Sequence, residues 1–204
     1  RSSAASDVYK RQSLLRSRYI CFGTFLLFTS SVIASPLSTK TELQNIAVTN
    51  EFSGWKLFHS VPGNCQISFP KLPEHLHQTM ALEENSPDLR YDVYVSAQEK
   101  DAIYMVLIAQ YPSSINEDYA TIGLNSFLNG ILKQNPQNQL IFADLIDVQG
   151  FKGLDFFIRS QGVYFKGRAI MAKSNLYFLA MECEMNKYKE HHFDYFINSF
   201  EILK

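Results

Sequence analysis

The sequence contains few of the local patterns that point to a particular chemistry. Its 204 residues include three cysteines, nine glycines and one tryptophan. The glycines form neither a phosphate-binding loop nor a dinucleotide fingerprint, and no Gly-x-Ser-x-Gly nucleophile motif occurs. We therefore expect no cofactor. We rank an enzyme third among the three function classes, because the chain has no local catalytic motif. An active site assembled from residues far apart in the chain would leave no such motif.

The chain also lacks an excess of basic residues. Lys and Arg together number 19, against 20 Asp and Glu. Without residues 1–34, 14 basic and 19 acidic residues remain, which gives a net charge of about −5. Nucleic-acid binding requires clustered positive charge to neutralise phosphates. The composition therefore predicts no nucleic-acid partner.

The apolar run at residues 19–34 is shorter than the roughly 20 residues that a membrane-spanning helix needs. Arg16 and Arg18 precede this run, and small residues end it, which is typical of a secretory signal peptide. We predict cleavage after Ala34 and export to the periplasm or the extracellular space, as in a bacterial protein. A retained membrane anchor is the alternative. Residues 1–12 resemble adapter read-through and are excluded from the fold prediction.

The remainder of the chain divides into an arm and one domain. Residues 35–53 are polar and aperiodic, which predicts a flexible arm. Residues 54–204 suffice for a single domain with a substantial apolar core. We expect an α+β fold in which two main helices pack on an antiparallel sheet of about six to eight strands.

The strand predictions follow from short apolar or alternating segments bounded by turn residues. Residues 102–109 and 176–181 are apolar on both faces, so both faces of the central sheet must be covered. The later strands are joined by links so short that they must form antiparallel hairpins. The predicted strands are residues 55–59, 65–69, 75–83, 89–97, 102–110, 140–148, 154–160, 164–173 and 176–183.

One hairpin is specific enough to predict its register. A two-residue turn at Gln161 and Gly162 would place three pairs of side chains opposite each other on one face. These pairs are Asp155 with Arg168, Phe157 with Lys166, and Arg159 with Tyr164. Their simplest role is to fix the register of the two strands.

Two segments have helical periodicity. A capping box at residues 114–117 predicts the start of the first helix, and Pro136 predicts its end. The second helix is expected from about Asn186 to Ser199. Its apolar residues recur at helical spacing and would form one buried stripe: Phe193, Phe196, Ile197 and Phe200.

The order of these elements resembles the PsbP-like superfamily of α-β-α sandwiches. Four segments carry the resemblance: residues 65–73, 150–155, 175–181 and 196–200. Each is a packing or turn signature, so no functional residue is carried over from the family. The resemblance implies a non-catalytic accessory or binding module.

The strongest metal-ligand candidates are His75 and His77, which would share one face of a strand. Two ligands are too few for a site, and a third would have to come from His59, Glu74 or Asp92. The alternative is a pair of solvent-facing histidines without a metal.

The last histidines of the chain, His191 and His192, lie between Glu190 and Asp194. Consecutive helical residues point about 100° apart, so we expect these two rings to diverge on the exposed face of the last helix. We therefore assign them no site.

Cys65 and Cys183 remain after the predicted signal cleavage, and their chemical state has two alternatives. In an oxidising compartment they could form a disulfide, or they could be two separate buried thiols. Cys183 lies between Glu182 and Glu184, whose charges would raise a thiol pKa, so we expect no nucleophilic role.

Taken together, these features favour an exported non-catalytic accessory or protein-binding module with an unidentified protein partner. A small-ligand or metal-binding carrier is the alternative. The two differ in the kind of surface they require, since a carrier needs converging polar groups and a binding module needs an exposed apolar patch.

Overall fold

A computed structural model describes residues 51–80, 89–98, 101–111 and 117–203 of the chain. The predicted signal peptide and most of the predicted arm lie outside these residues. Glu51 and Phe52, which the sequence assigned to the arm, contact the last helix of the domain.

The described residues form ten strands and two α-helices. The strands are Lys56–Ser60 (β1), Cys65–Phe69 (β2), Glu74–Met80 (β3), Leu89–Gln98 (β4), Ala102–Gln110 (β5), Gln139–Val148 (β6), Phe151–Ser160 (β7), Val163–Ala172 (β8), Asn175–Glu184 (β9) and Glu201–Ile202 (β10). The helices are Ala120–Gln134 (α1) and Glu190–Asn198 (α2). Neither helix is long and apolar enough to cross a membrane.

The strands form two antiparallel sheets. The larger sheet has seven strands in the order β3-β4-β5-β9-β8-β7-β6, and the smaller has three in the order β1-β2-β10. Short links between β6, β7, β8 and β9 produce the predicted run of hairpins. The expected α+β class, with an antiparallel sheet and two helices, is confirmed.

The hairpin between β7 and β8 has the predicted register. Gln161 and Gly162 have φ angles of 44° and 82°, which is the left-handed backbone that a two-residue hairpin turn requires. Consequently Asp155 lies opposite Arg168 and Phe157 lies opposite Lys166. The third predicted pair, Arg159 and Tyr164, is also formed.

Helix α1 covers one face of the larger sheet. Leu124 and Leu128 of α1 are buried, and the ring of Phe127 lies edge-on to that of Phe178 of β9 at 4.9 Å. The helix ends before Pro136 as predicted. Its start is later than expected, because residues 117–119 form a turn of 3-10 helix before Ala120. Ser114 of the predicted capping box lies outside the described residues.

Helix α2 and the smaller sheet cover the opposite face. The predicted stripe is buried in the core, together with Phe69 of β2 and Tyr104 of β5: Phe193, Phe196, Ile197 and Phe200. Helix α2 begins at Glu190 rather than near Asn186, because Tyr188 and Lys189 are extended after a short 3-10 turn. The central strands β5 and β9 are thus buried on both faces, as their composition predicted.

Candidate functional site

Strands β3 and β4 bring the predicted histidine pair to a buried carboxylate. His77 lies opposite Asp92 in the register, and His75 is two residues away on the same face. His75 Nε2 is 2.7 Å from Asp92 Oδ1, and His77 Nδ1 is 3.0 Å from the same oxygen. Asp92 is 2% exposed, whereas both histidine side chains are nearly half exposed. Of the three predicted third ligands, Asp92 is therefore the one placed beside both rings.

The environment of Asp92 gives this cluster a structural role. Burial acts to raise the pKa of Asp92, but the hydrogen bonds from His75 and His77 outweigh burial and hold that pKa below its usual range. The ring of His75 also stacks on Tyr94 at 4.5 Å. These contacts join β3, an edge strand, to β4.

A second cluster joins the start of the described chain to α2. His191 Nε2 is 2.9 Å from Glu51 Oε2, and His192 Nε2 is 2.6 Å from Glu51 Oε1. Lys189 Nζ also donates to Glu51 Oε1, at 2.8 Å. Among the described residues, Glu51, His191 and His192 form the group of potential metal ligands whose ligand atoms all lie within 4.8 Å of one another.

The expectation that His191 and His192 diverge is wrong. Their side chains leave the helix in different directions, but each imidazole is long enough to turn its Nε2 atom toward one shared carboxylate. The two rings are perpendicular, with centroids 4.7 Å apart. No local pattern signals this contact, because Glu51 is 140 residues from His191 in the chain.

Aromatic packing positions Glu51. The adjacent Phe52 is buried and stacks on Tyr195 of α2 with ring centroids 3.9 Å apart. The backbone N–H of Trp55 donates to the carbonyl of Phe52, and the indole lies edge-on to Tyr195 at 5.1 Å. The carboxylate is therefore attached to a segment that is packed against the domain.

Electrostatics favours an ionised carboxylate beside a neutral imidazole. The hydrogen bond from Lys189, followed by that from His192, lowers the pKa of Glu51 to about 2. Burial lowers the pKa of His192 below its usual value, despite the neighbouring carboxylate. The other ring nitrogen of His192, Nδ1, lies 3.2 Å from the hydroxyl of Tyr104, whose pKa is raised by burial.

Cys65 and Cys183 are free, buried thiols in the structure. Burial raises the pKa of Cys65 to about 12. Burial, with smaller contributions from Glu182 and Glu184, raises the pKa of Cys183 to about 11. Thiols held in the protonated form are poor nucleophiles. The structure thus has the two separate buried thiols that were the alternative to a disulfide.

The outer edge of β6 presents a different kind of surface. Within the described chain, β6 has a neighbouring strand on its β7 side alone. Leu140, Ile141 and Leu145 of this strand are 44%, 50% and 53% exposed. A bulge between Leu140 and Phe142 interrupts the register with β7. This is an exposed apolar edge strand of ten residues.

Comparison with known proteins places the fold in the PsbP-like class. The chain is similar to the solution structure of cyanobacterial PsbP, CyanoP, from Synechocystis sp. PCC 6803, with a TM-score of 0.55 and 15% identity over 82% of this chain and 99% of that one. At this identity the similarity establishes the fold alone. No protein-family model and no curated protein matches the sequence significantly.

Two further solved structures are more distant. A protein of unknown function from Pseudomonas aeruginosa is 12% identical over 69% of this chain and 90% of its own, with a TM-score of 0.34. A protein from Bacteroides thetaiotaomicron is 9% identical over 74% of this chain and 49% of its own, with a TM-score of 0.38.

Proposed function

We propose that this protein is an exported accessory protein that acts by binding a protein partner rather than by catalysis, and that the partner adds an extended strand to the outer edge of β6. The exposed apolar edge of β6 is the observation that carries the proposal. The signal-like segment at residues 19–34 supports export to the periplasm or the extracellular space.

The edge of β6 is suited to strand addition. An edge strand presents a row of unpaired backbone N–H and C=O groups, which most proteins protect with Lys, Pro, a bulge or a covering element. The sequence of β6, QLIFADLIDV, has neither Lys nor Pro. Its bulge lies near one end, at Leu140, and leaves the run of register from Phe142 to Val148 uninterrupted. A partner strand would gain main-chain hydrogen bonds along that run and apolar contacts with the exposed side chains.

The acidic residues of β6 indicate which kind of partner strand would bind there. Asp144 and Asp147 are exposed on β6, and Lys152 pairs with Asp147 at 2.9 Å. Because the chain after residue 34 is also acidic overall, the partner segment should combine apolar residues with Lys or Arg. A second copy of this chain would bring two acidic strands together, and like charges across a strand pair are destabilising. The proposal is therefore a basic, apolar strand of another protein.

The test uses a matched pair of substitutions on the two edges of the larger sheet. Leu145→Lys places a charge on the proposed edge, and Leu76→Lys makes the same change on β3, where Leu76 is 44% exposed. The chain is used as bait, in the presence of a chelator, to capture proteins from the native envelope fraction. Hydrogen exchange of the β6 amides is then compared with and without the captured partner.

We expect the unmodified chain and the Leu76→Lys variant to retain the same partner, and the Leu145→Lys variant to lose at least about tenfold in affinity. The β6 amides should gain protection in the complex. Absence of a reproducible partner would count against the proposal. A partner that binds Leu145→Lys normally, or a dimer of this chain paired through β6, would refute it.

A further inference from the structure

We propose that Glu51, His191 and His192 form a binding site for a divalent transition-metal ion of the zinc class. Two imidazole nitrogens and one carboxylate oxygen are a donor set that zinc accepts in proteins, with an open fourth position for water. The ligand atoms come from two segments far apart in the chain and lie within 4.8 Å of one another.

The spacing between the Glu51 oxygens and the histidine nitrogens is close to what a tetrahedral ion requires. Metal–ligand bonds of about 2.0–2.2 Å place neighbouring ligand atoms about 3.3 Å apart in a tetrahedron. The two histidine Nε2 atoms are 2.6 Å and 2.9 Å from the Glu51 oxygens that they contact. Each of these distances has to lengthen by less than about 1 Å to admit the ion. Glu51 and His191 are on the surface, so the ion can enter.

Residues behind His192 can hold its ring in the tautomer that binds a metal. A metal on Nε2 requires the proton on Nδ1, where the ring can donate to the Tyr104 hydroxyl oxygen 3.2 Å away. Tyr104 can then donate its own proton to Gln98 Oε1 at 3.3 Å. His192 would thus donate to Tyr104, and Tyr104 would donate to Gln98, which acts as the final acceptor. Such support is usual behind metal-binding histidines.

The Lys189 ammonium group would compete with a metal ion for the Glu51 carboxylate. This group contacts Oε1, the same oxygen that receives the hydrogen bond from His192. The Lys189 side chain is about half exposed, so it can move into solvent when an ion binds. Removing this competing charge should strengthen metal binding, which a merely structural cluster would not do.

The test measures Zn²⁺ binding to the full, tag-free chain by isothermal titration calorimetry, with Co²⁺ absorption as an independent report of tetrahedral coordination. We expect one ion per chain. Glu51→Gln and His191→Gln should each lower the affinity at least about tenfold, and Lys189→Met should raise it. Both Glu51 and His191 lie at the surface, so circular dichroism and thermal unfolding should show that these variants remain folded.

The control variant combines His75→Gln and His77→Gln, which removes both imidazoles from the cluster at Asp92 and leaves Glu51, His191 and His192 unchanged. Its affinity and stoichiometry should equal those of the unmodified chain. Absence of binding up to about millimolar Zn²⁺, or loss of binding in the control rather than in His191→Gln, would overturn the site. The strand-addition experiment is carried out with a chelator present, so either proposal can fail without the other.

Discussion

Gly167, in the middle of β8, provides a sharp test of the packing beneath α1. A Cβ atom at this position would lie 2.7 Å from Phe156 Cζ and 2.7 Å from Phe178 Cε2. Both rings are fully buried, and they stack with centroids 5.8 Å apart. Phe178 is also held by the edge-on ring of Phe127. The rings therefore cannot retreat toward solvent to make room for a methyl group.

The substitution Gly167→Ala should destabilise the protein. Overpacking of a filled core costs about 1–3 kcal/mol. Alanine also lowers the conformational entropy of the unfolded chain, which offsets about 0.4–1 kcal/mol of that cost. We expect a net loss of about 1–2 kcal/mol in the free energy of unfolding, measured by urea denaturation with an unchanged m-value, and a fall in Tm of about 2–8 °C.

The matched control is Gly130→Ala, the same chemical change in α1. Nothing lies within 4 Å of a Cβ at Gly130, and the position is exposed, so alanine should stabilise the helix by about 0.5–1 kcal/mol. Adding Phe156→Leu to Gly167→Ala should recover part of the loss, since it relieves the overlap. A Gly167→Ala protein as stable as the unmodified one would refute the argument, as would equal shifts for both glycines.

Three further outcomes follow from the core and the hairpins. Burial raises the pKa of Cys65 from 9 to about 12, so the stability that the protonated thiol contributes is complete below pH 9 and is lost as the pH rises toward 12. The free energy of unfolding should therefore fall above pH 9, and Cys65→Ala should make that fall less steep by up to about 1.4 kcal/mol per pH unit. The Nζ atom of Lys166 lies among four aromatic rings and pairs with Glu190. Urea denaturation should show that Lys166→Met changes the free energy of unfolding by no more than about 1 kcal/mol, whereas Glu190→Gln lowers it by about 1–2 kcal/mol because it leaves the buried ammonium group without its charged partner. Arg168 donates two hydrogen bonds to Asp155, at 2.6 and 2.7 Å. Arg168→Lys keeps the charge but loses one of them, so thermal unfolding should show a free energy of unfolding that is lower by about 0.5–1.5 kcal/mol.

The predicted elements match the structure best where a strand is continuously apolar or is bounded by a two-residue turn. Strands β5 and β9 were predicted almost to the residue, because apolar residues on both faces can be accommodated only in the middle of a covered sheet. The register of β7 and β8 was also predicted, since a two-residue turn permits one pairing. Helix starts were less accurate, because local 3-10 turns replaced the expected first turns.

The candidate sites likewise have one part that local periodicity predicts and another part that depends on tertiary contacts. His75 and His77 could be placed together from the period of a strand, and Asp92 was one of three third ligands considered. Choosing Asp92 required the pairing of β3 with β4, which depends on tertiary contacts.

Local sequence patterns were enough to predict the α+β class, the signal-like segment, the run of hairpins and the buried stripe of α2, because each of these features depends on residues close together in the chain. The strands at the edges of the sheets and the side chains that meet could not be predicted in this way, because they depend on contacts between residues far apart in the chain. Glu51 reaches His191 and His192 because aromatic packing of Phe52 brings two distant segments together. The exposed edge of β6 likewise arises from the order of the strands, since the same apolar residues would be buried in a central strand.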